Sequence, residues 1–265
     1  MTARGPPLAS WESLLRTAIS TPGLINAAYT QFHRYSVRNQ LLAMAQCVAR
    51  DIKPGPLATY KEWERLGRHV TRGEKALILC MPITPATEKE AEPEEETTDA
   101  AHRQWFVYRA RWFALAQTDG EAYQPLALPE WTEERALTTL GIQRIPFEHL
   151  DGNTQGYATA EGIAVNPVAA LPHKTLFHEL AHVLLGHRKG DTLPRAVREV
   201  EAEGVALLCC EALGLDGAVY ARGYLQHWLN DGELTDAMAQ RIITTAQRTI
   251  NAGREPGAET AHLNG

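Results

Sequence analysis

Apolar residues recur at helical spacing through the first third of the chain. The run SWESLLRTAI predicts a helix capped by Ser10, with Ser13 to Ile19 supplying its apolar positions. A second helix is expected over 23–33, and a third begins near Ser36 and contains RNQLLAMAQCVA. TYKEWERLGRHV reads as a short helix ending at Gly67, and TRGEK as a turn into the next segment. There the period changes: ALILCMPI and, further on, WFVYRARWFALAQ have the length and composition of strands, and an intervening loop can join them in one sheet. Turn residues cluster over 119–131. After them come a helix at WTEERALTTLG, a strand pair around YATAEGIAVNP, and helices at TLFHELAHVLLGH and VREVEAEGVALLCCEALG. The pattern predicts an α+β chain of two domains: an N-terminal α/β domain over 1–125, and a helix-rich domain over 126–265 that carries the HELAH helix. No internal repeat or heptad array is visible.

Composition changes this picture little, and charge changes it more. The 265 residues are 44% hydrophobic and 22% charged, as in a globular protein with no extreme bias. No apolar run approaches the roughly 20 residues that span a bilayer. The N-terminus MTARGPPLASWESLL lacks the apolar core of a secretory signal, so a cytoplasmic location without a membrane partner is expected. Cys47, Cys80, Cys209 and Cys210 form no staple pattern, and the adjacent Cys209 and Cys210 read as small core residues in a reducing compartment. The net charge of −6 is unevenly placed. Residues 1–85 hold eleven Lys/Arg against five Asp/Glu, while 86–101 (ATEKEAEPEEETTDAA) hold seven acids and one Lys. The acidic stretch has no large apolar residue and predicts a solvated, disordered loop. The basic part before it is a candidate polyanion site.

Candidate chemistry centres on H-E-x-x-H. On a helix His178 and His182 lie on one face, one turn apart, and two imidazoles at that spacing can hold one metal ion with Glu179 beside its bound water. In the downstream helix Glu199 and Glu203 share a face, whereas Glu201 points away. A carboxylate there completes a His2Glu site with one open position. We assign Glu199 as ligand and Glu203 as the acceptor that orients a ligand histidine, with the two roles exchangeable. The metal set is therefore His178, His182, Glu199 and Glu203, for a divalent cation: Zn2+, with Mn2+ as the alternative. Such a site suits a zinc-type, gluzincin-like metallopeptidase. Glu179 would move the proton from water to the leaving amine, and Tyr224 or His227 would face the oxyanion, Tyr224 being the catalytic candidate. GIAVNP is the candidate edge strand for a substrate main chain. His173 and His187 flank the helix as surface or supporting residues.

In the basic first third, Arg34, Arg38, Lys61, Arg65, Arg68, Arg72 and Lys75 are interleaved with Tyr35, Tyr60 and Trp63. Cations along a phosphate backbone with aromatic platforms for bases are what single-stranded DNA binding requires. YSVRNQLLAMAQ, TYKEWERLGRHVTRGEKALILCMPI and RARWFALAQTDGE together resemble the N-terminal domain of the ArdC antirestriction proteins of conjugative plasmids and other mobile elements. The HELAH helix, REVEAEGVALLCCEALG and YARGYLQHWL resemble the zincin-like metallopeptidase domain that follows it in that family. The likeness runs over about residues 10–250. It implies a single-stranded-DNA-binding domain, a metallopeptidase-like domain and protection of incoming DNA from host restriction. Asn39, Gln40, Trp63, Gly67, Arg68, Gly73, Glu74 and Lys75 fall on the family's N-terminal motif. Asn39 and Gln40 thereby join Arg34, Arg38, Tyr60, Lys61, Trp63, Arg68, Arg72 and Lys75 as DNA-binding candidates. Arg38 stands where the family often has Asn, Arg72 where Lys is common, and the acidic insertion is unusual.

Two other functions fit the same residues. One is a plasmid or phage regulatory protease that cleaves a repressor; the other is a non-catalytic DNA-binding protein with a structural metal. A peptide substrate, if there is one, is expected to be a host restriction protein or a repressor.

Overall fold

A computed structural model describes residues 9–83, 105–149, 153–187, 193–229 and 232–255. The acidic loop expected at 86–101 lies outside them. The described chain mixes helices with small antiparallel sheets and divides into two compact units, one of residues 42–125, the other combining Met1–Leu41 with Leu126–Thr260. One boundary between these units falls at 125/126, and α1 and α2 group with the later part of the chain.

In the unit of residues 42–125, β1 (Leu57–Thr59), β4 (Trp105–Ala114) and β3 (Leu77–Ile83) form an antiparallel sheet in the order β1-β4-β3. The two apolar runs are thus neighbouring strands of one sheet, as expected. Directly after β1 comes α4 (Tyr60–Arg65), which packs against β1 and β4 and is capped by Thr59 through the Glu62 N–H. Its Trp63 is fully buried and donates its indole N–H to Phe113 O at 2.9 Å. A second ribbon, β2 (Arg68–Val70) with β5 (Thr118–Gly120), follows α4, and the turn expected at TRGEK comes after it, closed by Glu74 N donating to Thr71 O at 3.1 Å. Gly120 has φ +132°, and a Cβ there would sit 2.4 Å from Gly67 O, so only glycine lets the two backbones approach. Gln46, from α3 (Val37–Ala49), bonds both Ile78 N (2.9 Å) and Ile78 O (2.7 Å), where the β3–β4 register shifts.

The other unit is helical. α1 (Trp11–Ser20) starts at Ser10, whose hydroxyl accepts from Ser13 N, and it buries Leu14, Leu15, Ala18 and Ile19. Each large one contributes about 1.5–3 kcal/mol on burial. α2 (Leu24–Phe32) packs on α7 (Arg195–Leu213), and α1 on α9 (Asp236–Gly253) and α8 (Ala218–Trp228). The α1–α2 junction is held by a buried pair, Arg222 and Glu211. Arg222 donates to Ala18 O (2.7 Å), to Ile19 O and to the Glu211 carboxylate, while Glu211 accepts from Ile25 N at 3.2 Å. One end of α1 and the start of α2, whose N-cap Gly23 offers no side chain, are thus satisfied from α7 and α8. α5 (Glu133–Leu140) runs from Thr132, its N-cap, to Gly141. β6 (Gly156–Ala158) and β7 (Ile163–Val165) form the expected strand pair. α6 (Pro172–Leu184) follows and packs against both strands and α7. Among the described residues no helix is long and apolar enough to cross a membrane.

Candidate metal centre

Pro172 opens α6 at its first turn, and Leu176, Phe177, Leu180 and Ala181 anchor it in the core. His178 and His182 then share the face turned toward α7. Their Nε2 atoms are 3.1 Å apart, and Glu199 Oε2 lies 3.5 Å from the first and 3.9 Å from the second. A tetrahedral ion with bonds of about 2.0–2.1 Å would space its ligand nitrogens by roughly 3.3 Å. One donor atom from each of His178, His182 and Glu199 lies within 4.8 Å of the other two, so these residues fit a divalent cation.

Glu203, on the same face of α7, stands behind the triad. Its Oε1 is 2.6 Å from Lys174 Nζ and 3.3 Å from His178 Nδ1, the ring edge turned away from the other donors. The arrangement suits an orienting carboxylate more than a ligand. Glu201 does not point into solvent: it is 1% exposed and accepts from Arg241 (Nε–Oε1 2.7 Å) and from His187 (Nε2–Oε2 2.8 Å). His187 in turn bonds His182, Nδ1 to Nδ1, at 2.9 Å. Its side chain is 1% exposed, so this flanking histidine, expected either at the surface or in a supporting position, is internal.

Electrostatics follow from this crowding. Burial alone would lower the pKa of His178, but Glu199 and Glu203 outweigh it and push it up to about 9. Burial, reinforced by the positive His178 ring, lowers His182 to about 4. The hydrogen bond from His178 is the largest influence on Glu199 and brings it down to about 2. Burial raises Glu179, which is 8% exposed. For Glu201 and Glu203 burial is overcome by their cationic partners, and both are lowered.

Gly156 of β6 lies over Glu179, where a Cβ would come within 3.2 Å of the Glu179 Cγ and 2.5 Å of the Thr175 methyl. The strand beside the site is therefore β6. GIAVNP forms β7, which is flanked on both sides: β6 pairs on one, and on the other Ile145 N donates to Ile163 O (2.9 Å) and Ile163 N to Gln143 O (2.9 Å). The expected edge strand is thus an inner strand, and the edge is β6. Tyr224 on α8 is 42% exposed; burial and the charges of Glu199 and Glu203 raise its pKa, which places it within electrostatic reach of the centre. His227 is exposed on the same helix, and His173 lines a separate cleft of about 440 Å³ with Tyr29 and Trp131.

The DNA-binding candidates separate into two groups. Asn39 and Gln40 are 2% and 1% exposed, and Gln40 donates to Tyr35 O. Trp63 is buried and hydrogen-bonded as described. These three are packing residues and cannot meet a strand in this fold. Arg38 lies 3.8 Å over the Trp11 ring. Arg68 is engaged by β5, donating to Thr118 Oγ1 (2.9 Å), Thr118 O (2.8 Å) and Glu121 O. Arg34 is half-buried, whereas Tyr60, Lys61, Arg72 and Lys75 are exposed. Arg34, Arg38, Asn39 and Gln40 fall in the unit with α6 and α7, and the other six in the β1-β4-β3 unit. The backbone carrying Arg72 and Lys75 is pinned from below: Gln117 donates to Glu74 Oε2 (2.7 Å) and Lys75 O (3.0 Å), and Arg50 to Ala76 O (3.1 Å).

Comparison with known proteins gives three findings. Residues 9–113 match the family described as the N-terminal domain of anti-restriction factor ArdC. The fold is similar to that of the Mn(II)-bound antirestriction protein ArdC from plasmid R388, with a TM-score of 0.53, 17% identity, and coverage of 96% of this chain and 98% of that one. The metal-free structure of the same protein aligns with a TM-score of 0.49 and 18% identity, over 92% and 94% of the two chains. No curated protein matches the sequence.

Proposed function

We propose that this chain, whose residues 9–113 match the family described as the N-terminal domain of anti-restriction factor ArdC, is an antirestriction protein with a single-stranded-DNA-binding surface and a metal-dependent, peptidase-like centre. The observation that carries the reading is the convergence of His178, His182 and Glu199 beside a buried Glu179. His178 Nε2, His182 Nε2 and Glu199 Oε2 would hold the cation, which when bound polarises a carbonyl and activates water. The R388 relative is Mn(II)-bound; Zn2+ suits the two imidazoles and one carboxylate equally well. Glu179, its pKa raised by burial, is placed to take and return a proton. Tyr224 supplies a hydroxyl on the solvent side, and the free edge of β6 offers backbone groups to an extended peptide.

The deciding experiment is a Glu179→Gln variant in a restriction-protection assay, with metal content and single-strand binding measured on the same preparation. Lost protection with metal and DNA binding intact supports a catalytic centre. Intact protection assigns the metal to folding and sinks the peptidase-like part.

Metal uptake should depend on pH with a defined sign. Without metal, His178 is protonated below about pH 9 and must release that proton to bind. His182 and Glu199 are already deprotonated above about 4 and about 2. Apparent affinity should therefore rise about tenfold per pH unit between pH 5 and 8 and level off near 9, with about one proton released per ion at neutral pH. Calorimetry in buffers of different ionisation enthalpy reads that proton directly.

On the DNA side, the exposed Tyr60, Lys61, Arg72 and Lys75 are the residues placed to meet a strand. Log affinity should fall with log salt with a slope of about −0.7 per phosphate contact, hence roughly −2 for the three cations. The double change Arg72→Glu, Lys75→Glu should flatten that slope by about 1.4 and weaken binding. Arg68→Glu, by contrast, should show mainly as a lower melting temperature, because β5 loses its donor. Binding that is flat in salt would remove single-stranded DNA from the proposal.

A further inference from the structure

The H-E-x-x-H segment does not end at its second histidine. Leu185 closes α6, and Gly186 takes a left-handed conformation with φ +73°. Gly186 N then donates to Val183 O (3.2 Å) and His187 N to His182 O (2.9 Å), the paired bonds of a Schellman cap. That cap turns the chain back on itself, and the His187 ring lies against the His182 ring, centroids 5.1 Å apart. Behind His187 stands Glu201, and behind Glu201 stands Arg241, bonded to both carboxylate oxygens at 2.7 and 3.1 Å.

We propose that His187 and Glu201, backed by Arg241, are positioning residues that fix the ring of His182 for a divalent cation. The inference rests on the metal reading above and adds residues to it. Its basis is the chain of contacts from His182 through His187 to Glu201, whose directions follow with a neutral His187. A histidine that presents Nε2 to a metal carries its proton on Nδ1, so His182 must donate from Nδ1, and His187 Nδ1 must accept. His187 then carries its proton on Nε2 and donates it to Glu201 Oε2, and Glu201 accepts from the guanidinium on its other side. Each group has one role that satisfies its neighbours, and all of them select the metal-binding tautomer of His182.

A merely structural network would need none of this. His187 and Glu201 are each 1% exposed at the side chain, and burying such groups costs more than packing two aliphatic residues in their place. The other ligand histidine also has a carboxylate on its far edge, since Glu203, held by Lys174, lies 3.3 Å from His178 Nδ1. Helix α7 thus supplies a ligand at 199, an indirect aiming carboxylate at 201 and a direct one at 203.

The test uses the full chain, with Zn2+ affinity from competition titration and the visible spectrum of the Co2+ form as readouts. His187→Leu fills the space but accepts nothing, and should weaken Zn2+ binding about 10- to 100-fold and shift the Co2+ bands. His187→Asn places Oδ1 near the lost Nδ1 and should restore affinity to within about threefold of the parent, although its contact with Glu201 is gone. Glu201→Gln should lose about tenfold. Should the leucine variant not fold, the asparagine and glutamine variants still decide between the outcomes. Parent-like affinity and an unchanged Co2+ spectrum in both His187→Leu and Glu201→Gln, whatever their melting temperatures, overturn the inference. So does an asparagine variant as weak as the leucine one. A parent protein that takes up no metal, or a His178→Ala variant that binds as well as the parent, overturns the metal reading instead.

Discussion

Alanine at position 178 should all but abolish metal uptake, with affinity falling about a thousandfold. The size follows from the donor set. Structural zinc sites bind with about 10–16 kcal/mol at neutral pH, and removing one of three protein donors forfeits roughly 4 kcal/mol of such a sum. Neither neighbour can take the vacated place: His173 lines another cleft, and His187 is committed to His182 and Glu201. Glu203 keeps Lys174 as a partner, so the variant is left with no unpaired buried carboxylate there and should still fold. Metal analysis after dialysis is the direct check, and thermal melting with and without Zn2+ is the second. The parent should gain about 2.7 kcal/mol at a hundredfold excess over its Kd, and the variant almost nothing at that concentration. Stoichiometric metal in the dialysed variant would refute the centre.

The second large effect concerns stability. Arg222→Met should cost about 3–5 kcal/mol, because it strands Glu211 in the core without its cation. Arg222 and Glu211 side chains are 7% and 9% exposed, so water cannot compensate. The same change takes the Arg222 donor from Ala18 O at the end of α1, while Ile19 O keeps only the Gln226 amide at 3.4 Å. Adding Glu211→Leu should recover much of the loss, since two apolar residues replace a buried ion pair at little net cost. About 1 kcal/mol should remain lost, because Ile25 N then has no acceptor. Urea midpoints at an unchanged slope measure both steps. A single-variant loss below 1 kcal/mol would show that the pair is not the clamp its geometry indicates.

What could be read from the sequence was whatever local spacing determines. Ser10 and Thr132 announce their helices, and the i, i+4 rule places His178 with His182 and Glu199 with Glu203 before any coordinates exist. What could not be read depends on distant partners. Glu201 points away from the face shared by Glu199 and Glu203, and spacing alone names no partner for it; it is internal because His187 and Arg241 come to meet it. The available signal was Gly186 and His187, four and five residues beyond the second motif histidine, a helix stop followed by an imidazole. Trp63 and Arg68 have the composition of a nucleic-acid surface, but their partners, Phe113 and Thr118, are fifty residues downstream. Likewise GIAVNP looks like an edge strand until residues 143–145 are placed along its other side. The helices before residue 41 gave no hint in their own pattern of which unit they would join.

That last placement has a consequence for how the chain is made. A ribosome releases α1 and α2 first, yet the helices that cover Leu15, Ile19, Ile25 and Phe32 are among the last synthesised. The stretch 42–125 has its own sheet and core and can fold as soon as it emerges. The two leading helices must then remain undocked, their apolar faces a target for chaperones, until α7, α8 and α9 arrive. A nascent chain halted after residue 125 should therefore show protection in β1, β3 and β4 and protease sensitivity in α1 and α2.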